Sequence, residues 1–217
     1  TISKQFKNGM MGTGVLGFEE INMSQSIKQF TTGTRNATGG STSAAVTAEG
    51  ATSIAITGAG AGLTVRAGDV FVVNGCFAVN PQTRESTGSL FQFVALTNVT
   101  LGGSGEGTLT VAPIYSAGHA LATVSTLPAS GQAVVFVGAG GQQYAQNLVY
   151  HKDAITFATA DLLLPQGVDM ASRQVHNGIS LRVVRQYDIN NDRMPCRIDV
   201  LYGYSTIRPQ MACRLWG

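Results

Sequence analysis

The chain has 217 residues, 44% of them hydrophobic and only 12% charged, with a formal net charge of +2. That length is one large domain or two small ones, and charge this sparse excludes the clustered Lys and Arg of a nucleic-acid surface. No apolar run reaches the ~18 residues of a membrane span, and no charged-then-apolar signal peptide opens the chain.

Cys76, Cys196 and Cys213 are the three cysteines. An odd count with no close pair fits neither a disulfide framework nor CxxC metal chemistry. They read as buried thiols in a reducing compartment.

Charge divides the sequence into three segments. Residues 1–30 hold Lys4, Lys7, Lys28, Glu19 and Glu20. Residues 31–140 hold seven charges (Arg35, Glu49, Arg66, Asp69, Arg84, Glu85 and Glu106) together with 18 of the 27 glycines. Residues 141–217 hold eight basic and six acidic side chains. The shifts place boundaries near 30 and 140.

The middle segment reads as β throughout. Expected strands are Ser53–Thr57, Leu63–Val65, Val70–Asn74, Leu90–Thr97, Gly107–Val111 and Ala133–Val137. They are short and separated by Gly, Asn, Pro or Ser, the spacing of a small barrel or sandwich. Thr108-Leu-Thr-Val111 alternates with period two, so one face is expected to be buried. Ala67-Gly68-Asp69 predicts a tight turn into the next strand. Pro81-Gln-Thr-Arg-Glu-Ser-Thr-Gly88 reads as an exposed loop that presents Arg84 and Glu85, and loop tips are reachable by partners.

The last segment reads as mixed. Tyr144, Leu148 and His151 recur at i, i+4, i+7, which predicts a helix over Gln142–Ala154. Pro165 bars a helix through Asp161–Pro165. Gly178–Tyr187 and Cys196–Tyr204 read as strands, the second with Cys196, Ile198, Val200 and Tyr202 on one buried face. Asp188-Ile-Asn-Asn-Asp-Arg-Met-Pro195 joins them, with Asn and Asp suited to a turn.

No motif carries chemistry. Gly138-Ala-Gly140-Gly141-Gln-Gln143 has Gln where a dinucleotide fingerprint needs its third Gly, and reads as a linker. Gly58-Ala-Gly-Ala-Gly62 lacks the Gly-Lys-Ser/Thr end of a phosphate loop. His119, His151 and His176 lie too far apart for a metal or acid–base pattern. No catalytic residue, metal or cofactor is expected. The dense charges Arg182, Arg185, Asp188, Asp192, Arg193 and Arg197 read either as a solvated turn or, with Arg84 and Glu85, as intersubunit contacts that set register more than affinity.

Three stretches carry a family resemblance. The C-terminal run Leu181-Arg-Val-Val-Arg-Gln-Tyr-Asp-Ile-Asn-Asn-Asp-Arg-Met-Pro-Cys-Arg-Ile-Asp-Val-Leu-Tyr-Gly203 resembles the end of tailed-phage major coat proteins of the short-tailed Salmonella phage type. Gly68-Asp-Val-Phe-Val-Val-Asn-Gly75 and Ala78–Ala95 resemble the β-barrel inserted in those coats. The resemblance implies an α+β, β-rich chain with a Hong Kong 97-like capsid core fold and an inserted antiparallel β-barrel. It implies a lead-in at 1–30, the barrel at 31–140 and a return into the core at 141–217. Such coats run further on the N-terminal side, so the chain corresponds to their C-terminal half.

The implied function is a structural coat subunit that self-assembles, as pentamers and hexamers, into an icosahedral head around double-stranded DNA. The implied partners are copies of itself, scaffolding and portal proteins, and packaged DNA held only weakly, with no membrane. The implied setting is the virion, assembled in the bacterial cytoplasm. The alternative reading is a tail-associated or secreted β-sandwich that binds glycan.

Overall fold

The computed structural model describes residues 10–15 and 18–216. Lys4 and Lys7 of the expected lead-in lie outside the described residues. The chain divides into two units, Thr1–Gln146 and Asn147–Trp216.

In the first unit β1 (Met10–Val15) and β2 (Phe18–Asn22) form an antiparallel hairpin. β3 (Gln29–Thr31) follows, then β4 (Thr38–Thr42), β5 (Ala51–Thr57), β6 (Thr64–Val65), β7 (Val70–Val79), β8 (Ser86–Val94), β9 (Val99–Thr100), β10 (Gly107–Ile114) and β11 (Ala133–Phe136). A six-stranded antiparallel sheet runs β10-β5-β4-β11-β7-β8. Its two edges meet just beyond β8, where the Leu96 amide donates to the Thr110 carbonyl at 2.8 Å. All six strands expected between 53 and 137 are present.

Alternation along these strands builds one core. Leu109 and Val111 on β10 are sealed, as are Ile54 and Ile56 on β5 and Val134 on β11. Phe71 lies between two further rings, 5.5 Å from Phe93 and 5.6 Å from Phe136. Fully burying such side chains stabilises by roughly 1.5–3 kcal/mol each.

β4 has no large apolar residue, yet it sits between β5 and β11. Two glycines let it do so. A Cβ on Gly39 would stand 2.6 Å from the Phe136 ring, and one on Gly40 would stand 2.0 Å from the Thr57 carbonyl. Gly40 also has φ +74, and the β4–β11 register shifts by one residue here, a bulge that needs a residue tolerant of positive φ.

The expected helix at Gln142–Ala154 is instead a strand, β12 (Gln143–Tyr150). Gln143, Tyr144 and Ala145 pair with Thr31, Phe30 and Gln29 of β3. Tyr144 and Leu148 share a face in either periodicity, and pairing with β3 decides for the strand. Among the described residues the α component of the expected α+β class is therefore absent. The only helical element among the described residues is a 3-10 turn at Pro209–Met211.

The second unit holds β13 (Ile155–Ala160), β14 (Met170–His176), β15 (Ile179–Arg185), β16 (Cys196–Asp199), β17 (Leu201–Thr206) and β18 (Ala212–Trp216). The strand expected over Cys196–Tyr204 breaks at Val200. β16 joins β14 and β15, whereas β17 pairs with β13. Ile198 is 68% exposed and Val200 42%, so the expectation of one buried face is corrected. Cys196 and Cys213 are exposed as well, and only Cys76 is a buried thiol. Within the described part of this unit only Ala154 and Ser180 are buried.

Candidate assembly surface

β14 and β15 form a hairpin through Asn177 and Gly178, with φ of 49° and 78°. Two consecutive positive φ values are what a tight Asn-Gly hairpin turn requires. The register sets Arg173 opposite Arg182, and Arg182 opposite Asp199. Because strand side chains alternate, Arg197 falls on the same face as Asp199.

The carboxylate resolves this crowding of cations. Arg182 donates from Nε to Asp199 Oδ2 at 3.1 Å, and Arg197 Nη2 reaches the same oxygen at 3.0 Å. Arg197 Nε lies 2.7 Å from Oδ1. The hydrogen bonds from Arg197 and then Arg182 hold the Asp199 carboxyl below its ordinary pKa, and Arg197 is raised in turn by Asp199. Arg182 also donates to the Leu163 carbonyl, and Arg173 to that of Leu162. Two arginines thus clamp the loop at 161–164. Arg185 is paired with Asp169 at 2.8 Å.

The turn between β15 and β16 is locked from inside. The Asp188 amide donates to the Arg193 carbonyl at 2.8 Å, and the Arg193 amide returns the bond at 3.3 Å. Asp188 accepts from Asn191 Nδ2 and from the Asn190 amide, and these two bonds lower its pKa in that order. Tyr187 donates its hydroxyl to Asp192 at 2.8 Å, which raises the tyrosine's pKa. Asp192 has φ 48. The turn engages both of its acids in its own hydrogen bonds and leaves the Arg193 side chain and Ile189, 80% exposed, facing solvent.

In the first unit Arg84 and Glu85 lie on the β7–β8 connection, both exposed. The Arg84 amide donates to the Asn80 carbonyl at 2.8 Å, and the Asn80 amide donates to the Glu85 carbonyl at 3.0 Å. Arg84 takes the left-handed φ of 58°. Of the eight expected contact residues, Arg182, Arg185 and Arg197 are in ion pairs inside the chain. Asp188 and Asp192 are hydrogen-bonded within their turn. Arg84, Glu85 and Arg193 have no ion pair among the described residues.

Sequence reasoning missed a different pair. Arg35 and Asp69 are both sealed and lie 3.4 Å apart. Arg35 donates to the Gly138 and Val137 carbonyls at 3.0 and 2.9 Å, and its guanidinium lies 4.4 Å from the centre of the Phe136 ring. Asp69 accepts from the Gly33 and Arg66 amides at 3.1 and 2.8 Å. Burial lowers the Arg35 pKa, and Asp69 opposes that. A lone Asp before a strand and a lone Arg in a Gly/Thr run were the only signals.

Among the described residues no three His, Cys, Asp or Glu side chains gather as metal ligands, and no helix is long and apolar enough to cross a membrane. Charges tied together on β-sheets, with a few exposed on hydrogen-bonded turns, give this region a surface suited to contacts with other proteins. Over residues 1–217 the chain matches the family model described as P22 coat protein, gene protein 5, and it belongs to that family. No curated protein matches it. Membership makes the chain a major capsid subunit of a phage head, structural and not enzymatic, assembling with copies of itself in the virion. The glycan-binding alternative has no support in this match.

Proposed function

We propose that the chain builds the head from two parts with different tasks. Residues 31–140 act as an inserted β-barrel, and residues 141–217 return the chain to a Hong Kong 97-like core to which residues 1–30 lead in. The observation that carries this is the six-stranded sheet joined at its edges from Leu96 to Thr110, within a chain that matches the coat family throughout. Such a sheet has its own core and needs no neighbour to complete it. The second unit has almost no core of its own among its described residues, which suits a segment completed by other coat elements.

In this reading Arg193 and Ile189 on the locked turn, and Arg84 and Glu85 on the β7–β8 connection, meet neighbouring subunits. Arg182, Arg185, Arg197, Asp188 and Asp192 hold those elements in shape. Scaffolding and portal proteins are the further partners, assembly takes place in the bacterial cytoplasm, and a net charge of +2 fits a shell that encloses DNA without gripping it. Electron microscopy of assembled heads tests the division. The reading stands if residues 31–140 form a discrete barrel on a core that contains 141–217, and fails if the six strands are distributed through the shell floor.

A further inference from the structure

Asn-Gly occurs three times in the chain, at Asn8, Asn74 and Asn177. The pair is prone to a reaction within its own backbone. The Gly nitrogen attacks the side-chain carbonyl carbon of the Asn, and Gly has no Cβ to obstruct the approach. Asn8-Gly9 lies outside the described residues. The other two pairs stand in opposite settings.

Asn177 and Gly178 are the central residues of the β14–β15 turn, and both are exposed. Neither the Asn177 side chain nor the Gly178 amide has a hydrogen-bond partner among the described residues. A Cβ on Gly178 would meet nothing within 4 Å. Attack requires the peptide between them to swing out of the positive-φ turn. Thr159, from outside the hairpin, opposes that swing. Its Oγ1 donates to the Gly178 carbonyl at 2.7 Å and accepts from the Ser180 amide at 3.2 Å. Asn74-Gly75 lies instead inside β7, where the residues around it pair with β11 and β8. The Gly75 carbonyl accepts from Thr126 Oγ1 at 3.1 Å, and a Cβ there would stand 2.9 Å from Gln132 Nε2. Exposed hairpin tips open more readily than strand interiors.

We propose that Asn177 is a site of spontaneous deamidation, gated by the Thr159 hydroxyl. The Gly178 nitrogen bonds to Asn177 Cγ. The side-chain nitrogen leaves as ammonia and takes the proton that the Gly178 nitrogen gives up. Water then opens the cyclic imide at either carbonyl, placing hydroxyl on the carbonyl carbon and hydrogen on the ring nitrogen. The products are aspartate and isoaspartate, with no change of oxidation state. Isoaspartate carries an extra backbone carbon into a tight turn whose geometry fixes the hairpin. The register that sets Arg173 opposite Arg182 is then disturbed at its closed end. This chemistry goes beyond the coat reading and is independent of it.

The test ages the full chain at mildly alkaline pH as wild type, Thr159→Val and Thr159→Ser. Mass spectrometry measures deamidation peptide by peptide, and isoaspartyl methyltransferase labelling identifies the isomer. Asn177 should convert several-fold faster than Asn74, with isoaspartate among the products. Thr159→Val removes the donor and should speed Asn177 several-fold while leaving Asn74 unchanged. Thr159→Ser should keep the wild-type rate. Conversion of Asn74 as fast as Asn177 would overturn the site, and aspartate as the sole product would overturn the imide route. An Asn177 rate equal in all three chains, or a Thr159→Val chain that speeds both sites alike, would overturn the gate.

Discussion

Arg35 and Asp69 form an ion pair with no solvent access to either side chain, and it ties three separate pieces of the first unit together. Arg35 reaches the end of β11 through the Val137 and Gly138 carbonyls, and Asp69 holds the turn at 66–69 and the amide of Gly33. Two charges taken from water need partners on every side, and this pair has nearly all of them. Only Arg35 Nε is without one.

The two partners should respond unequally to removal. Asp69→Ala strands a buried guanidinium and two amides, and should cost about 3–5 kcal/mol. Arg35→Met leaves a carboxylate still bonded to two amides, so its cost should be smaller. Urea denaturation of the two variants measures both. Equal losses would mean that the pair is not the main constraint.

Core and surface should separate just as clearly. Leu109 is fully buried, and Leu109→Ala should cost about 2–5 kcal/mol. Ile198 is 68% exposed, and Ile198→Ala should change stability by no more than about 0.5 kcal/mol in the free chain. Thermal melts decide it, and a large loss at Ile198 would place that side chain inside.

Much of the first unit is legible in the sequence because alternation and apolar content coincide there, as in Thr108-Leu-Thr-Val111. β4 is not legible. Thr38-Gly-Gly-Ser-Thr42 has no large apolar residue, and the reason it belongs in the sheet is the lack of side chains that lets it approach Phe136 and Thr57. β12 misleads because Tyr144 and Leu148 satisfy two periodicities at once. The Asn177-Gly178 turn was a readable hairpin signal between Met170–His176 and Ile179–Arg185. The candidate contact residues stand out in the sequence only as a concentration of charge. Which charges face inward depends on pairing such as Arg182 opposite Asp199, and register is set by the whole sheet.

Acid should weaken the second unit through Asp199. Its folded pKa lies below the ordinary value of 3.8, so the unfolded chain takes up the proton first. The stability it supplies is present above that value and is lost as pH falls through the folded pKa. Melts from pH 6 down to about 2 should show a steeper acid decline in wild type than in Asp199→Asn. Parallel declines would assign the acid sensitivity to other carboxylates.

The three thiols should differ in reactivity. Burial raises Cys76 to about 11, whereas Cys196 and Cys213 are exposed. A thiol reagent at mildly alkaline pH should modify Cys196 and Cys213 promptly in the native chain and Cys76 only on unfolding, since the thiolate is the nucleophile. Prompt reaction of Cys76 would show that the β7 region opens readily.

The bond from Leu96 to Thr110 has a consequence for crowding. Open sheet margins invite other chains to add strands, and backbone ladders formed this way are hard to undo. Where the margin of the first sheet is joined to itself, copies packed side by side find fewer unpaired amides and carbonyls to stitch onto. Adhesion at that face then depends on side chains, which can let go and re-seat.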